Sequence, residues 1–167
     1  REFKEAVNIQ KLLITSALPK DGKSTVVLNL ATVLAEHGKR NVLVLEADLY
    51  LPALTSKLGI EPGIGLAECL EKGLDPISAL RYIEPLGWYL LGAGSASANP
   101  TELLQSESVT GLMERLTSHF DWILIDTPPV EALSDAASLL RHVDAALLVV
   151  RAGQTPQDAV KQAIETI

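Results

Sequence analysis

Lys23, Ser24, Glu46, Asp48 and Asp126 are the residues whose types and spacing could do chemistry, and the chemistry is that of phosphate and a divalent cation. Lys23 and Ser24 sit in the run Ala17-Leu18-Pro19-Lys20-Asp21-Gly22-Lys23-Ser24-Thr25. An apolar segment, Leu12 to Thr15, precedes it, and an apolar helical pattern at Val27, Leu30, Ala31 and Leu34 follows. A buried strand, a tight loop, Gly-Lys-Ser and a helix together make a P-loop. In that setting backbone N–H groups and the helix dipole converge on one anion. Lys23 supplies a point charge for the β- and γ-phosphates of ATP, and Ser24 a hydroxyl for Mg²⁺. Ala17 stands where the consensus has its first glycine, and a left-handed backbone there would be costly.

The acids lie where apolar runs stop. Asn41-Val42-Leu43-Val44-Leu45 closes on Glu46-Ala47-Asp48, and Asp121-Trp122-Ile123-Leu124-Ile125-Asp126 closes on Thr127-Pro128-Pro129. In a parallel sheet these ends share the rim with the P-loop. Asp126 fits the Walker B position, holding Mg²⁺ near the phosphate oxygens. Glu46 and Asp48 point to the same side by strand alternation. There a carboxylate either coordinates metal or accepts the proton of an attacking hydroxyl.

The elements that must position these groups alternate along the chain. A helix is expected over Lys23–His37, ended by Gly38, then short helical pieces at Pro52–Leu58, Leu66–Glu71 and Ile77–Leu80. Further strands are expected at Trp88–Leu91 and Asp144–Val150, and further helices at Val109–His119 and Ser134–Arg141. Asn99-Pro100 and Thr155-Pro156 each read as a cap followed by proline in the first turn of a helix. The fold class that follows is α/β, a parallel β-sheet flanked by helices on both faces. At 167 residues one domain, 1–167, is expected. Aromatic residues make up only 4%, so the core must be aliphatic. The net charge of −7 and the lack of a basic stripe argue against a nucleic-acid partner. The single cysteine, Cys69, excludes a disulfide framework within the chain and reads as a buried thiol. His37, His119 and His142 are scattered and read as surface or capping residues. No apolar run approaches a membrane span and no signal peptide is visible, so a cytoplasmic setting is expected.

The stretches ALPKDGKST, VLVLEADLYLP, ILIDTPPV, and SDA followed by ALLVVRAGQTP resemble the bacterial tyrosine kinases of capsular and exopolysaccharide synthesis. LGIEPGIGLAECL and GAGSASANPTELL add to the likeness, which runs from about Lys11 to the end. The resemblance implies a MinD/ParA-like fold, ATP bound by Ala17–Thr25, a Walker A′ motif at Glu46 and Asp48, and Walker B at Asp126. It implies Mg²⁺ held by Ser24, Asp126 and Glu46, with catalysis by Lys23, Glu46, Asp48 and Asp126. It also implies phosphoryl transfer to tyrosines of the protein's own tail, between subunits of a ring. A membrane activator of polysaccharide synthesis, fused or separate, would hold the kinase at the inner face of the cell membrane. Glu46 replaces the family's usual Asp, and Tyr50 its usual Arg or Lys. The tyrosines are Tyr50, Tyr82 and Tyr89, none near Ile167, and the family's Glu-x-x-Arg-x-x-Arg interface motif is not intact in REFKEAVNI. The family has further elements after the last helix, so a piece of a longer chain is expected. Two other functions compete. One is a MinD/ParA-type ATPase, against which Leu18 stands where that group usually carries a second lysine. The other is a catalytically weak nucleotide-binding regulator of the same polysaccharide machinery.

Overall fold

The structure, a computed structural model, describes residues 9–95, 99–130 and 138–167. β1 (Lys11–Ser16) leads through the Gly-Lys-Ser loop into α1 (Lys23–Ala35), and β2 (Val42–Glu46) follows. The middle of the chain carries α2 (Leu54–Lys57), α3 (Leu66–Lys72), a 3₁₀ turn (Pro76–Ala79), β3 (Arg81–Ile83) and β4 (Trp88–Leu91). Then come α4 (Pro100–Gln105), α5 (Ser108–Thr117), β5 (Trp122–Asp126), β6 (Ala145–Val149) and α6 (Gln157–Thr166).

The strands form one six-stranded sheet in the order β3-β4-β2-β5-β1-β6. All neighbours are parallel except β3, which pairs antiparallel with β4, Tyr82 opposite Tyr89. The expectation of a wholly parallel sheet is corrected at this edge. Arg81-Tyr82-Ile83 is too short to show a period, and Glu84-Pro85-Leu86-Gly87 lacks the usual two-residue hairpin signature.

Strand alternation divides the core. Leu43, Leu45, Ile123 and Ile125 face one side, against α3, α4 and α5 through Leu66, Leu104 and Leu116. Val42, Val44 and Leu124 face the other, against α1 through Val27, Ala31 and Ala35 and against Leu54 of α2. β2 and β5 are therefore apolar on both faces, as strands covered by helices must be. α1 ends two residues earlier than expected. Glu36, His37 and Gly38 all take left-handed backbone, with φ of 47°, 60° and 83°, and the Gly38 and Arg40 amides both return to the Ala35 carbonyl. Part of the expected 134–141 helix falls on 131–137, outside the described residues, while 138–140 are helical. Among the described residues no helix is long and apolar enough to cross a membrane. Cys69 is buried, and that burial, with the Glu68 and Asp75 carboxylates nearby, pushes its thiol pKa up.

Candidate active site at the phosphate loop

β1, β2 and β5 end together because their last residues are tied to one another. The Thr127 amide and hydroxyl both donate to the Ile14 carbonyl, at 3.1 Å each. Thr15 Oγ1 donates to the Pro128 carbonyl at 2.8 Å, and the Ala47 amide to the Asp126 carbonyl at 2.8 Å. Asp126 and Glu46 are register partners across β5 and β2. The rim is thus set by threonines that satisfy strand-end backbone groups, which leaves the acid side chains for other work.

The loop 17–22 turns on two left-handed residues, Lys20 at φ 68° and Gly22 at φ 101°. Gly22 is the N-cap of α1 and provides no side-chain cap, and no acidic residue sits in the first turn. The first amides of α1 are therefore left for an anion. Ala17 is buried and keeps negative φ, so the left-handed demand falls on Lys20 and alanine at 17 carries no backbone strain. Asp21 braces the loop from within. Its Oδ2 accepts from the Leu18 amide at 2.9 Å and its Oδ1 from the Thr155 hydroxyl at 2.8 Å.

Lys23 reaches across the rim to Asp126, Nζ to Oδ1 at 2.9 Å, with side chains 11% and 2% exposed. Burial raises the Asp126 pKa to about 6, against the pull of the Lys23 ammonium, and the Asp48 and Glu46 charges push it further up. The three acids therefore sense one another. Asp48 is 8% exposed, and its Oδ1 accepts from the Leu51 amide at 3.0 Å. Glu46 is fully buried. Its Oε1 accepts from the Leu54 amide at 2.6 Å, and its Oε2 from the Thr55 hydroxyl at 2.7 Å and the Ala93 amide at 3.2 Å.

A family model described as NUBPL iron-transfer P-loop NTPase, of the ParA group, matches residues 9–166. The chain is 33% identical over 159 residues to the tyrosine-protein kinase YwqD of Bacillus subtilis, covering 95% of this chain and 67% of that protein. It is 32% identical to the succinoglycan biosynthesis transport protein ExoP of Rhizobium meliloti, covering 93% of this chain and 20% of ExoP. The kinase domain of the Escherichia coli tyrosine kinase Etk superposes with a TM-score of 0.90 at 32% identity, over 96% of this chain and 62% of that domain. The chain belongs to the bacterial tyrosine kinase family.

In this family member the expected residues come together unevenly. Lys23 and Asp126 meet on the loop side of the rim, Ser24 follows Lys23 in the first turn of α1, and Asp48 is near enough for its charge to raise the Asp126 pKa. Glu46 stands at the same level, yet its carboxylate is directed to α2 and to the loop after β4. Among the described residues no group of three or more His, Cys, Asp or Glu is placed to hold a metal. Magnesium in P-loop proteins does not need such a cage, because a hydroxyl, a carboxylate, water and phosphate oxygens complete its shell. The residues present fit that pattern. Ser24 follows Lys23 in the first turn of α1, Lys23 holds one Asp126 oxygen, and no donor reaches the second among the described residues.

Several contributors were not visible in the sequence. Thr155 was expected to cap the last helix, but Pro156 is the N-cap of α6. The Thr155 hydroxyl is used instead on Asp21, and it accepts from the Arg151 amide at 2.8 Å. Thr55 and Ala93 carry no motif, and they hold Glu46. Glu68, in a helix with ordinary amphipathic spacing, is buried and accepts from the amides of Gly65 at 2.9 Å and Ser95 at 3.0 Å. Burial acts to raise its pKa, but the Ser95 side chain and these amides together outweigh it and hold the carboxyl below its usual value. Gly94 makes this possible, since a Cβ there would collide with the Glu68 carboxylate. Tyr50 lies half exposed, its hydroxyl 2.6 Å from Thr101 Oγ1 on α4.

Proposed function

We propose that this chain is the catalytic domain of an ATP-dependent protein-tyrosine kinase that autophosphorylates and acts in capsular or exopolysaccharide synthesis and export. The observation that carries the reading is the buried Lys23–Asp126 pair beside the uncapped start of α1. It supplies an ammonium and a carboxylate where phosphate and metal must meet. Residues 17–25 cradle the phosphates, the first amides of α1 donate to their oxygens, and Lys23 leaves Asp126 to neutralise the β- and γ-phosphates. Ser24 and Asp126 would hold magnesium, which would supply charge neutralisation on the transferring phosphoryl group. Asp48 takes the tyrosine proton as the phenolic oxygen bonds to the γ-phosphorus, the bridging oxygen leaves, and ADP is the second product. Most of the rate gain comes from position and charge.

The setting is carried by the relatives' names, one of which is that of a polysaccharide transport protein. A membrane co-polymerase, fused or separate, is the proposed partner and places the domain at the inner face of the membrane. Homo-oligomers would let one copy phosphorylate another. Glu46 and Tyr50 at positions where the family usually has Asp and a basic residue favour a second reading, a weakly catalytic nucleotide-binding regulator.

Incubation of the full-length protein with γ-labelled ATP and Mg²⁺, beside Lys23→Met, separates these. Phosphotyrosine that disappears in the variant is the expected result. Free phosphate without labelled protein would make the protein an ATPase, and nucleotide binding with neither product would make it a regulator.

A further inference from the structure

Glu46 occupies the first acid of the Walker A′ pair, and its carboxylate is built into the protein's own hydrogen bonding. Both oxygens are engaged, by the Leu54 amide, the Thr55 hydroxyl and the Ala93 amide, and the residue is 0% exposed. Those donors belong to two segments that no strand pairing links, the start of α2 and the loop after β4. Gly92 lets the loop come close, since a Cβ there would stand 3.0 Å from Thr55 Oγ1. The turn from Asp48 to Leu54 is closed twice. Asp48 accepts from the Leu51 amide, and Glu46 accepts from the Leu54 amide. The extra methylene relative to Asp is what carries the carboxylate out to α2. Charge-assisted bonds to backbone amides are among the stronger fixed contacts a carboxylate can make.

We infer that Glu46 is a positioning residue, which ties α2 to the loop after β4 and so fixes the turn that carries Asp48, and that it does not ligate the metal. Its neighbours extend the consequence. Glu46, Thr55, Gly92 and Ala93 also line a cavity of about 390 Å³ to which no residue of the phosphate loop contributes. The brace is therefore part of that cavity's wall.

The inference rests on the kinase reading for its rate measurements and on geometry alone for its exchange measurements. In the full-length protein, phosphorylation rates are compared for E46Q, E46D, T55V and E46Q/T55V, with Mg²⁺ titrated at fixed ATP. Amide exchange is followed at Leu54 and Ala93. A displaced catalytic group costs up to about a hundredfold in rate, so E46Q should lose about ten- to a hundredfold in kcat. The concentration of Mg²⁺ at half-saturation should stay unchanged. T55V, the milder variant, should lose rate in the same direction, and the double variant should fall no further than E46Q, because both remove one linkage. E46D should not rescue, since the shorter arm withdraws from Leu54. Exchange at Leu54 and Ala93 should quicken in E46Q and T55V relative to the unmodified protein.

Full activity in E46D, or an E46Q shift in Mg²⁺ half-saturation with T55V unaffected, would overturn the inference and make Glu46 a ligand. Failure of the kinase reading looks different. The unmodified protein then makes no phosphotyrosine, and unchanged exchange in E46Q and T55V would by itself overturn the brace.

Discussion

Asp126 and Glu46 stand side by side at the ends of paired strands, both almost wholly buried, and they are held in opposite ways. Asp126 is matched by a lysine side chain, which can swing to another anion. Glu46 is matched by two amides and a hydroxyl, which cannot follow a ligand without moving a helix or a loop. The same division separates the two halves of the molecule around them. On the phosphate-loop side, Asp126 is balanced by the Lys23 charge. On the side of α2 and α3, both Glu46 and Glu68 are balanced by backbone amides. A carboxylate's partners, more than its place in a motif, say whether it is available for chemistry.

The largest effect should come from breaking the exchangeable side. Lys23→Met or Asp126→Asn should lower phosphorylation by at least about 10²–10³-fold, the scale of removing a preorganised charge from a transition state, measured as labelled phosphotyrosine per unit time. Next, Lys23→Met leaves Asp126 buried without its counter-charge. The expected loss of stability at pH 8 is about 3–5 kcal/mol by urea denaturation, the usual cost of removing one partner of a buried pair.

The pH dependence sharpens the contrast, because the two sides carry opposite signs. Asp126 has a folded pKa of about 6 against an ordinary aspartate's 3.8. Between these values the folded protein keeps a proton that the unfolded chain gives up. Its contribution to stability therefore falls as pH rises through that window and levels off above about 6. Asp126→Asn should remove that slope. Glu68 lies below an ordinary glutamate's 4.5. Its contribution is fully present above that value and is lost as pH falls through the folded pKa. Glu68→Gln should remove that acid-side loss, and at pH 7 should cost about 1–3 kcal/mol with nucleotide affinity unchanged. Smallest of all, Tyr50→Phe removes one exposed hydrogen bond and should cost less than about 1 kcal/mol, with a phosphorylation rate near that of the unmodified protein.

Much of the phosphate-loop side was legible in the sequence because its signals are local. The apolar run, the Gly-Lys-Ser turn and the helical period at Val27, Ala31 and Leu34 are contiguous, and the strand ends at Glu46 and Asp126 are marked by a change from apolar to acidic. The other side was less legible because its partners are far apart in the chain. Nothing near Glu46 announces Ala93, and nothing near Glu68 announces Ser95. A glutamate in an amphipathic helix reads as solvated until a glycine such as Gly94 brings a loop onto it. Thr155 was misjudged for the same reason. Thr-Pro before a helix is a good capping signal, but Asp21, 134 positions away, competes for its hydroxyl. β3 escaped because three residues at a sheet edge leave too little pattern to detect.

A crystal structure of the protein with a non-hydrolysable ATP analogue and magnesium asks both sides at once. Lys23 Nζ should leave Asp126 for the β- and γ-phosphates, the metal should lie on Ser24 and Asp126, and Glu46 should keep Leu54, Thr55 and Ala93. Phosphates bound away from residues 20–24, or Lys23 still paired with Asp126 while the nucleotide is bound, would contradict this account.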